Sequence, residues 1–235
     1  MTSIEDSPFP VGLSPDRLPL LEDESRGAFD QMEVDAAMLG REGNGWEGYL
    51  RVYRFLGPCV TVGRTFKGDL PSCWLDLGPE IAVRPTGGGA VLHREDLCLS
   101  LFLSPRPALP PKQFYNLFHG WVNRFLETLS VRAACVGREI PAGRQMLHGV
   151  CFEQPVPGDL ISEGRKVLGG ALRISGRTLL YQGSLSVPGY GGDDLKKAFV
   201  KWYPGKGGCL LDLLLSGPSG TGIGSRGKGG RTCPG

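Results

Sequence analysis

Residues 84–103 read Arg84-Pro85-Thr86-Gly87-Gly88-Gly89-Ala90-Val91-Leu92-His93-Arg94-Glu95-Asp96-Leu97-Cys98-Leu99-Ser100-Leu101-Phe102-Leu103. Three consecutive glycines let the backbone bend sharply and approach a ligand closely, because no Cβ stands in the way. The strand-like piece Ile81–Arg84 precedes them and Ala90–His93 follows. In Leu97–Leu103 the leucines at 97, 99, 101 and 103 alternate with Cys98, Ser100 and Phe102, the period of a strand. The loop is not a P-loop, since no Gly-Lys-Ser/Thr follows. It is not a dinucleotide fingerprint either, since no further glycine comes at the required spacing. Its N–H groups suit an anion or a carbonyl, and Arg84 tilts the reading toward an anion. Glycine content alone fits a flexible hairpin turn as well.

Short strands continue on both sides of this stretch. Leu50–Phe55 and Val60–Val62 precede it; Asp159–Ser162, Lys166–Leu168, Ala171–Ile174, Thr178–Tyr181 and Ser184–Val187 follow. Ser25 is positioned to cap a helix running to about Leu39, with Phe29, Met32, Ala36 and Leu39 on one face. A longer helix follows Pro110-Pro111, where Phe114, Leu117, Phe118, Trp121, Val122, Phe125 and Leu129 form a wide apolar stripe. Aromatics at this spacing read as core, and His119 beside them as a packed or surface histidine. A long helix among many short strands, without regular βαβ alternation, predicts an α+β domain with a mixed sheet.

The chain has 235 residues, 40% hydrophobic and 21% charged, which is enough for one full core. Lys plus Arg is 26 against 24 Asp plus Glu. That balance gives no whole-chain electrostatic case for nucleic acid or an anionic membrane. No apolar run reaches membrane-span length, and the acidic start lacks the features of a signal peptide, so a cytoplasmic protein is expected. Residues 1–24, acidic and Pro-rich, read as a flexible leader. Residues 25–203 read as the folded domain, and the Gly-rich 204–235 as a disordered tail. The seven cysteines, at 59, 73, 98, 135, 151, 209 and 233, have irregular spacing and no Cys-x-x-Cys. Neither a disulfide framework nor a metal site is expected.

Two more stretches carry possible chemistry. In Gly164-Arg165-Lys166-Val167-Leu168-Gly169-Gly170-Ala171, Lys166 opens a strand whose small residues let a ligand lie along the backbone. A strand lysine is more often a solvated charge, so Lys166 matters only if it points into a cleft. In Gly149-Val150-Cys151-Phe152-Glu153, Cys151 by itself reads as a buried thiol. A nearby ammonium would lower its pKa and favour the nucleophilic thiolate.

Taken in order, RPTGGGAVLH (84–93), GRKVLGGALR (164–173) and YQGSLSV (181–187) resemble the motifs of the lipoate–protein ligase and octanoyltransferase family. The catalytic domain of that family is related to that of biotin–protein ligases. The helix from Ser25 with Phe29 and Asp35 sits where the family has its first helix, and the likeness covers about residues 25–190. The resemblance implies an α+β domain with a mixed, largely antiparallel sheet flanked by helices, and a bent tunnel for an eight-carbon acyl chain. It implies catalytic roles for Cys151 and Lys166. Substrate binding falls to Arg84, Gly87, Gly88, Gly89, His93, Gly169, Gly170 and Gly183. The segment VCFEQPVPGDLISEGRKV (150–167) looks like that of the cysteine-dependent octanoyltransferases. These move octanoyl from acyl carrier protein to a lipoyl domain of a 2-oxoacid dehydrogenase or to glycine-cleavage H protein. No cofactor is expected; ATP and Mg belong to the alternative, an ATP-dependent lipoate–protein ligase. A third reading is a binding module that has lost activity. The sequence departs from the family pattern at Val83 (usually Arg), Arg94 (often Asp), Gly170 (usually Ser) and Leu172 (usually Gln).

Overall fold

The alternating leucines lie on β6 (Leu97–Ser104), in the interior of the larger of two sheets. The computed structural model describes residues 18–39, 47–137 and 155–203. Before β6 come β1 (Leu20–Glu22), α1 (Ala28–Leu39), β2 (Glu47–Tyr53), β3 (Cys59–Gly63), α2 (Ser72–Leu75), β4 (Glu80–Arg84) and β5 (Ala90–His93). After it come α3 (Pro111–Thr128), β7 (Ala134–Cys135), β8 (Leu160–Ser162), β9 (Arg165–Ser175), β10 (Thr178–Leu185) and α4 (Gly192–Trp202). The large sheet has the order β1-β2-β6-β10-β9-β8-β7, antiparallel except for the β1–β2 pair. A separate small sheet, β4-β3-β5, has one parallel and one antiparallel pair. This is the expected α+β architecture with a mixed, largely antiparallel sheet. The division into two sheets was not legible in the strand pattern.

Both faces of the large sheet are covered, and every residue of β6 and β10 is buried. One face carries Leu97, Leu99, Leu101 and Leu103 and packs on α3 and α4. There Phe118 lies 4.6 Å from the Tyr181 ring, and Phe125 lies 5.0 Å from Phe199. The other face carries Ser100, Gln182 and Ser184, which bond to groups on α1, on the glycine loop and between β5 and β6. Residues two apart on a strand share a face, so a single alternation serves two different layers.

Three sequence expectations need correction. The sequence predicts a flexible leader through residue 24, yet Leu18 is buried and Leu20–Glu22 pairs with β2; residues 1–17 and 204–235 lie outside the described residues. The face assigned to α1 is rotated. Phe29 is 57% exposed, while Ala28, Gln31, Met32, Asp35 and Met38 are buried. The helix starts at Ala28 rather than after a Ser25 cap, and the Ala28 and Phe29 amides donate to the Glu80 carboxylate. That carboxylate takes the place of an N-cap side chain and favours the positive end of the helix dipole. Finally, Lys166–Leu168 and Ala171–Ile174 are one strand, as are Thr178–Tyr181 and the start of Ser184–Val187. Glycine is usually read as a strand breaker, but Gly170 and Gly183 face each other across the ladder. The Tyr181 ring fills the space where a Cβ at either would stand.

Candidate functional site

The glycine loop crosses from β4 to β5 over the end of β3. Gly88 has φ +91, in the left-handed region that glycine adopts freely. A Cβ on Gly63, at the end of β3, would collide with the Gly88 carbonyl oxygen. The motif therefore has a fourth glycine that the sequence reading missed. The loop is braced from within by Arg84. Its Nη2 donates to the carbonyls of Gly87 (2.7 Å) and Gly89 (2.8 Å), and its Nη1 to that of Thr61 (3.1 Å). These bonds direct the guanidinium to the loop's own backbone.

His93, which closes β5, is buried, with both ring nitrogens engaged. Asp96 Oδ2 lies 2.6 Å from Nδ1, and Thr61 Oγ1 lies 2.8 Å from Nε2. Asp96 Oδ2 also accepts from Ser184 Oγ at 2.5 Å, and Oδ1 accepts from the Arg94 amide. Burial alone would raise the Asp96 pKa. The charge and hydrogen bond of His93, with the Ser184 hydroxyl, outweigh it and hold the carboxyl down at about 2. His93, Asp96 and Cys98 bring one possible metal-ligand atom each within 4.8 Å of one another. Two nitrogen or oxygen ligands of one tetrahedral zinc stand about 3.3 Å apart. The 2.6 Å His93–Asp96 contact is shorter than that and has hydrogen-bond length, so the cluster reads as a buried carboxylate gathering donors.

Lys166 does not point to solvent. Its side chain is 5% exposed, folds back over Gly169, and places Nζ 2.8 Å from Asp159 Oδ2. A side chain on Gly169 would occupy the same space as the Lys166 stem. Asp159 also accepts from the Val156 amide at 2.8 Å. Burial raises the Asp159 pKa, against the opposing pull of Lys166. Nearby, His119 Nδ1 donates to the Gly158 carbonyl (2.6 Å), and Nε2 accepts from the Tyr181 hydroxyl (2.7 Å). A carbonyl can only accept, which fixes the neutral tautomer. Burial, aided by the Lys166 charge, lowers the His119 pKa to about 4.

Arg173 and Gln182 tie the glycine loop to the large sheet. Arg173 Nη1 on β9 donates to the Pro85 carbonyl. Gln182 on β10 accepts from both the amide and the hydroxyl of Thr86. The structure thus joins Arg84, Gly87, Gly88, Gly89 and His93 in one braced loop, and Lys166 and Gly169 in one ion-paired strand opening. Gly170 and Gly183 form a facing pair beneath Tyr181. Cys151 lies outside the described residues. Sequence reasoning passed over Asp159, Asp96 and Gln182 as site residues. Gln182 stands inside the quoted YQGSLSV stretch, and Asp159 seven residues before Lys166 at the head of β8, so both carried a positional signal.

The site thus sets a small braced glycine loop against a mixed sheet that also carries a buried lysine. The family model described as the lipoyl protein ligase A/B catalytic domain matches residues 28–204. The chain belongs to that family. Among curated relatives, Octanoyltransferase LipM of Carboxydothermus hydrogenoformans is 30% identical over 167 residues, 67% of this chain and 60% of that protein. Octanoyltransferase LipM of Oceanobacillus iheyensis is 29% identical over 175 residues, 70% of this chain and 62% of that protein. The chain therefore spans about 60% of the length of these relatives. A putative lipoate protein ligase from T. acidophilum superposes with a TM-score of 0.63 at 18% identity, covering 80% of this chain and 85% of that one. A lipoate-protein ligase A bound with ATP superposes at 0.61 and 20% identity, over the same shares. These structural likenesses establish the fold. Among the described residues no helix is long and apolar enough to cross a membrane.

Proposed function

We propose that this chain transfers an octanoyl group from octanoyl-acyl carrier protein to a lysine of an acceptor protein, through a thioester on Cys151. The acceptor is a lipoyl domain of a 2-oxoacid dehydrogenase or glycine-cleavage H protein. The observation that carries the reading is Lys166, a cation held at 5% exposure against Asp159. A buried ion pair adds little net stability, so a lysine buried against a carboxylate supports a chemical role. The names of the relatives at about 30% identity support octanoyl as the group moved. A fold neighbour described together with its E2 lipoyl domain supports the class of acceptor.

In this mechanism the Cys151 thiolate attacks the thioester carbonyl. A new C–S bond forms, the old one breaks, and the carrier thiol leaves with a proton. The acceptor lysine amine then attacks the acyl-enzyme; a C–N bond forms, the enzyme C–S bond breaks, and the amine's proton passes to the departing Cys151 sulfur. The Lys166 ammonium favours the thiolate and offsets the charge that develops on the carbonyl oxygen. The thioester already carries the activation, so ATP, Mg and other cofactors have no part. A cytoplasmic location goes with these donors and acceptors.

The test is transfer from octanoyl-acyl carrier protein to a purified lipoyl domain without ATP, read by the mass of the lipoyl domain. Octanoylation should appear, vanish in Cys151→Ala, and slow about a hundredfold in Lys166→Ala. Modification that instead requires free lipoate and ATP, and is indifferent to Cys151→Ala, would overturn the proposal in favour of a ligase.

A further inference from the structure

We infer that Gln182 is a positioning residue that sets the glycine loop over the acyl site by bridging it to a buried ion network beneath α1. This deepens the function proposed above and takes the glycine loop to bind the acyl substrate, as the family resemblance implies. Arg51 of β2 and Asp35 of α1 are both buried, and Arg51 Nη1 donates to Asp35 Oδ1 at 2.8 Å. Asp35 Oδ2 accepts from Ser100 Oγ (2.6 Å) and Tyr53 OH (3.2 Å). It also accepts from Gln182 Nε2 at 2.6 Å. The other end of the same amide, Oε1, accepts from Thr86 Oγ1 (2.7 Å) and from the Thr86 amide (3.3 Å). Thr86 is fully buried and directly precedes Gly87.

The chemistry selects an amide. A carboxylate offers only acceptors and a backbone N–H only a donor. A neutral side chain with a donor at one end and an acceptor at the other joins them without adding charge. The ion network is anchored on α1, β2 and β6, so Thr86 inherits the rigidity of the large sheet. Ser184, two residues on and on the same strand face, makes the matching bond to Asp96, which holds His93 at the far end of the loop. Strand β10 thus grips the glycine hairpin at both ends, and Gln182 holds the end next to the glycines.

The test is hydrogen exchange of the Gly87, Gly88 and Gly89 amides in the full chain, with KM and kcat for octanoyl-acyl carrier protein measured in parallel. Gln182→Met removes both ends of the bridge and should speed loop exchange about tenfold, while β6 amides keep their protection and KM rises more than kcat falls. Gln182→Glu sets a carboxylate against Asp35 at pH 8 and should loosen the loop. At pH 5 the introduced carboxyl is able to hold a proton, donate to Asp35 and accept from Thr86, so loop protection relative to wild type should return. Loop protection equal to wild type in Gln182→Glu at both pH values would overturn the inference. So would a loss spread evenly over the sheet in both variants, since that marks a purely structural residue. Loop exchange that responds as expected in a chain lacking transfer activity would uphold the positioning role and count against the proposed function.

Discussion

The two faces of the large sheet are both buried, yet they are built differently. The face under α3 and α4 is held by area: four leucines of β6 interleave with Phe114, Phe118, Trp121, Phe125 and Phe199. The face under α1 and the small sheet sets two small apolar clusters, around Tyr53 and around Phe102, beside a network of directed bonds in which Asp35, Arg51, Ser100, Gln182, Ser184, Asp96 and His93 find partners among themselves. Dispersion and apolar burial are tolerant of small shifts in geometry, whereas hydrogen bonds are not. Both faces stabilise the domain. Only the second also fixes where the glycine loop sits.

The largest effects should come from breaking each face. Phe118→Ala on the apolar face should cost about 3–5 kcal/mol, read as a lower urea midpoint, with little change in KM for the acyl donor. A shifted KM at unchanged stability would break the division of labour. On the polar face, Asp35→Ala takes one of two carboxylates from buried Arg51, leaving it Asp23, and removes the acceptor of Ser100, Tyr53 and Gln182; it should cost about 3 kcal/mol. Adding Arg51→Met to Asp35→Leu should recover much of that stability in the same urea titration, while loop exchange stays fast.

The faces should also part company on acidification. The folded pKa of His119 is about 4 against an ordinary 6.5. A depressed pKa gives stability that is complete above the unfolded value and is lost as pH falls through the folded one. The apolar face should therefore lose about 3 kcal/mol between pH 6.5 and 4. His119→Gln should flatten that window in urea titrations run at several pH values. Asp96 has a folded pKa of about 2 against 3.8, so the polar face should lose about 2 kcal/mol between pH 3.8 and 2. Asp96→Asn, already less stable at neutral pH, should show no such loss. A wild-type stability that is level from pH 7 to 4 would contradict the neutral, buried His119.

What was legible in the sequence follows the same division. The β6 leucine alternation and the α3 aromatic stripe are local patterns, and the structure places both as read. The loop motif, Lys166 and the α+β class were also readable, since they lie in short contiguous stretches. The polar face was not. Asp35 and Gln182 are 147 residues apart in sequence, and no periodicity announces a bond between them. The α1 face was misread for the same reason: its inward residues, Gln31 and Asp35, look like solvent-facing positions until Arg51 is brought beneath them. Gly170 and Gly183 looked like strand ends because nothing local shows that the Tyr181 ring will cover both.

The most direct test of the proposed reaction is the intact mass of the purified chain after incubation with octanoyl-acyl carrier protein alone, followed by peptide mapping. One octanoyl group on the peptide carrying Cys151, absent in Cys151→Ser and discharged by an added lipoyl domain, is the predicted result. An unmodified chain, or an octanoyl group on another residue that survives Cys151→Ser, would contradict it.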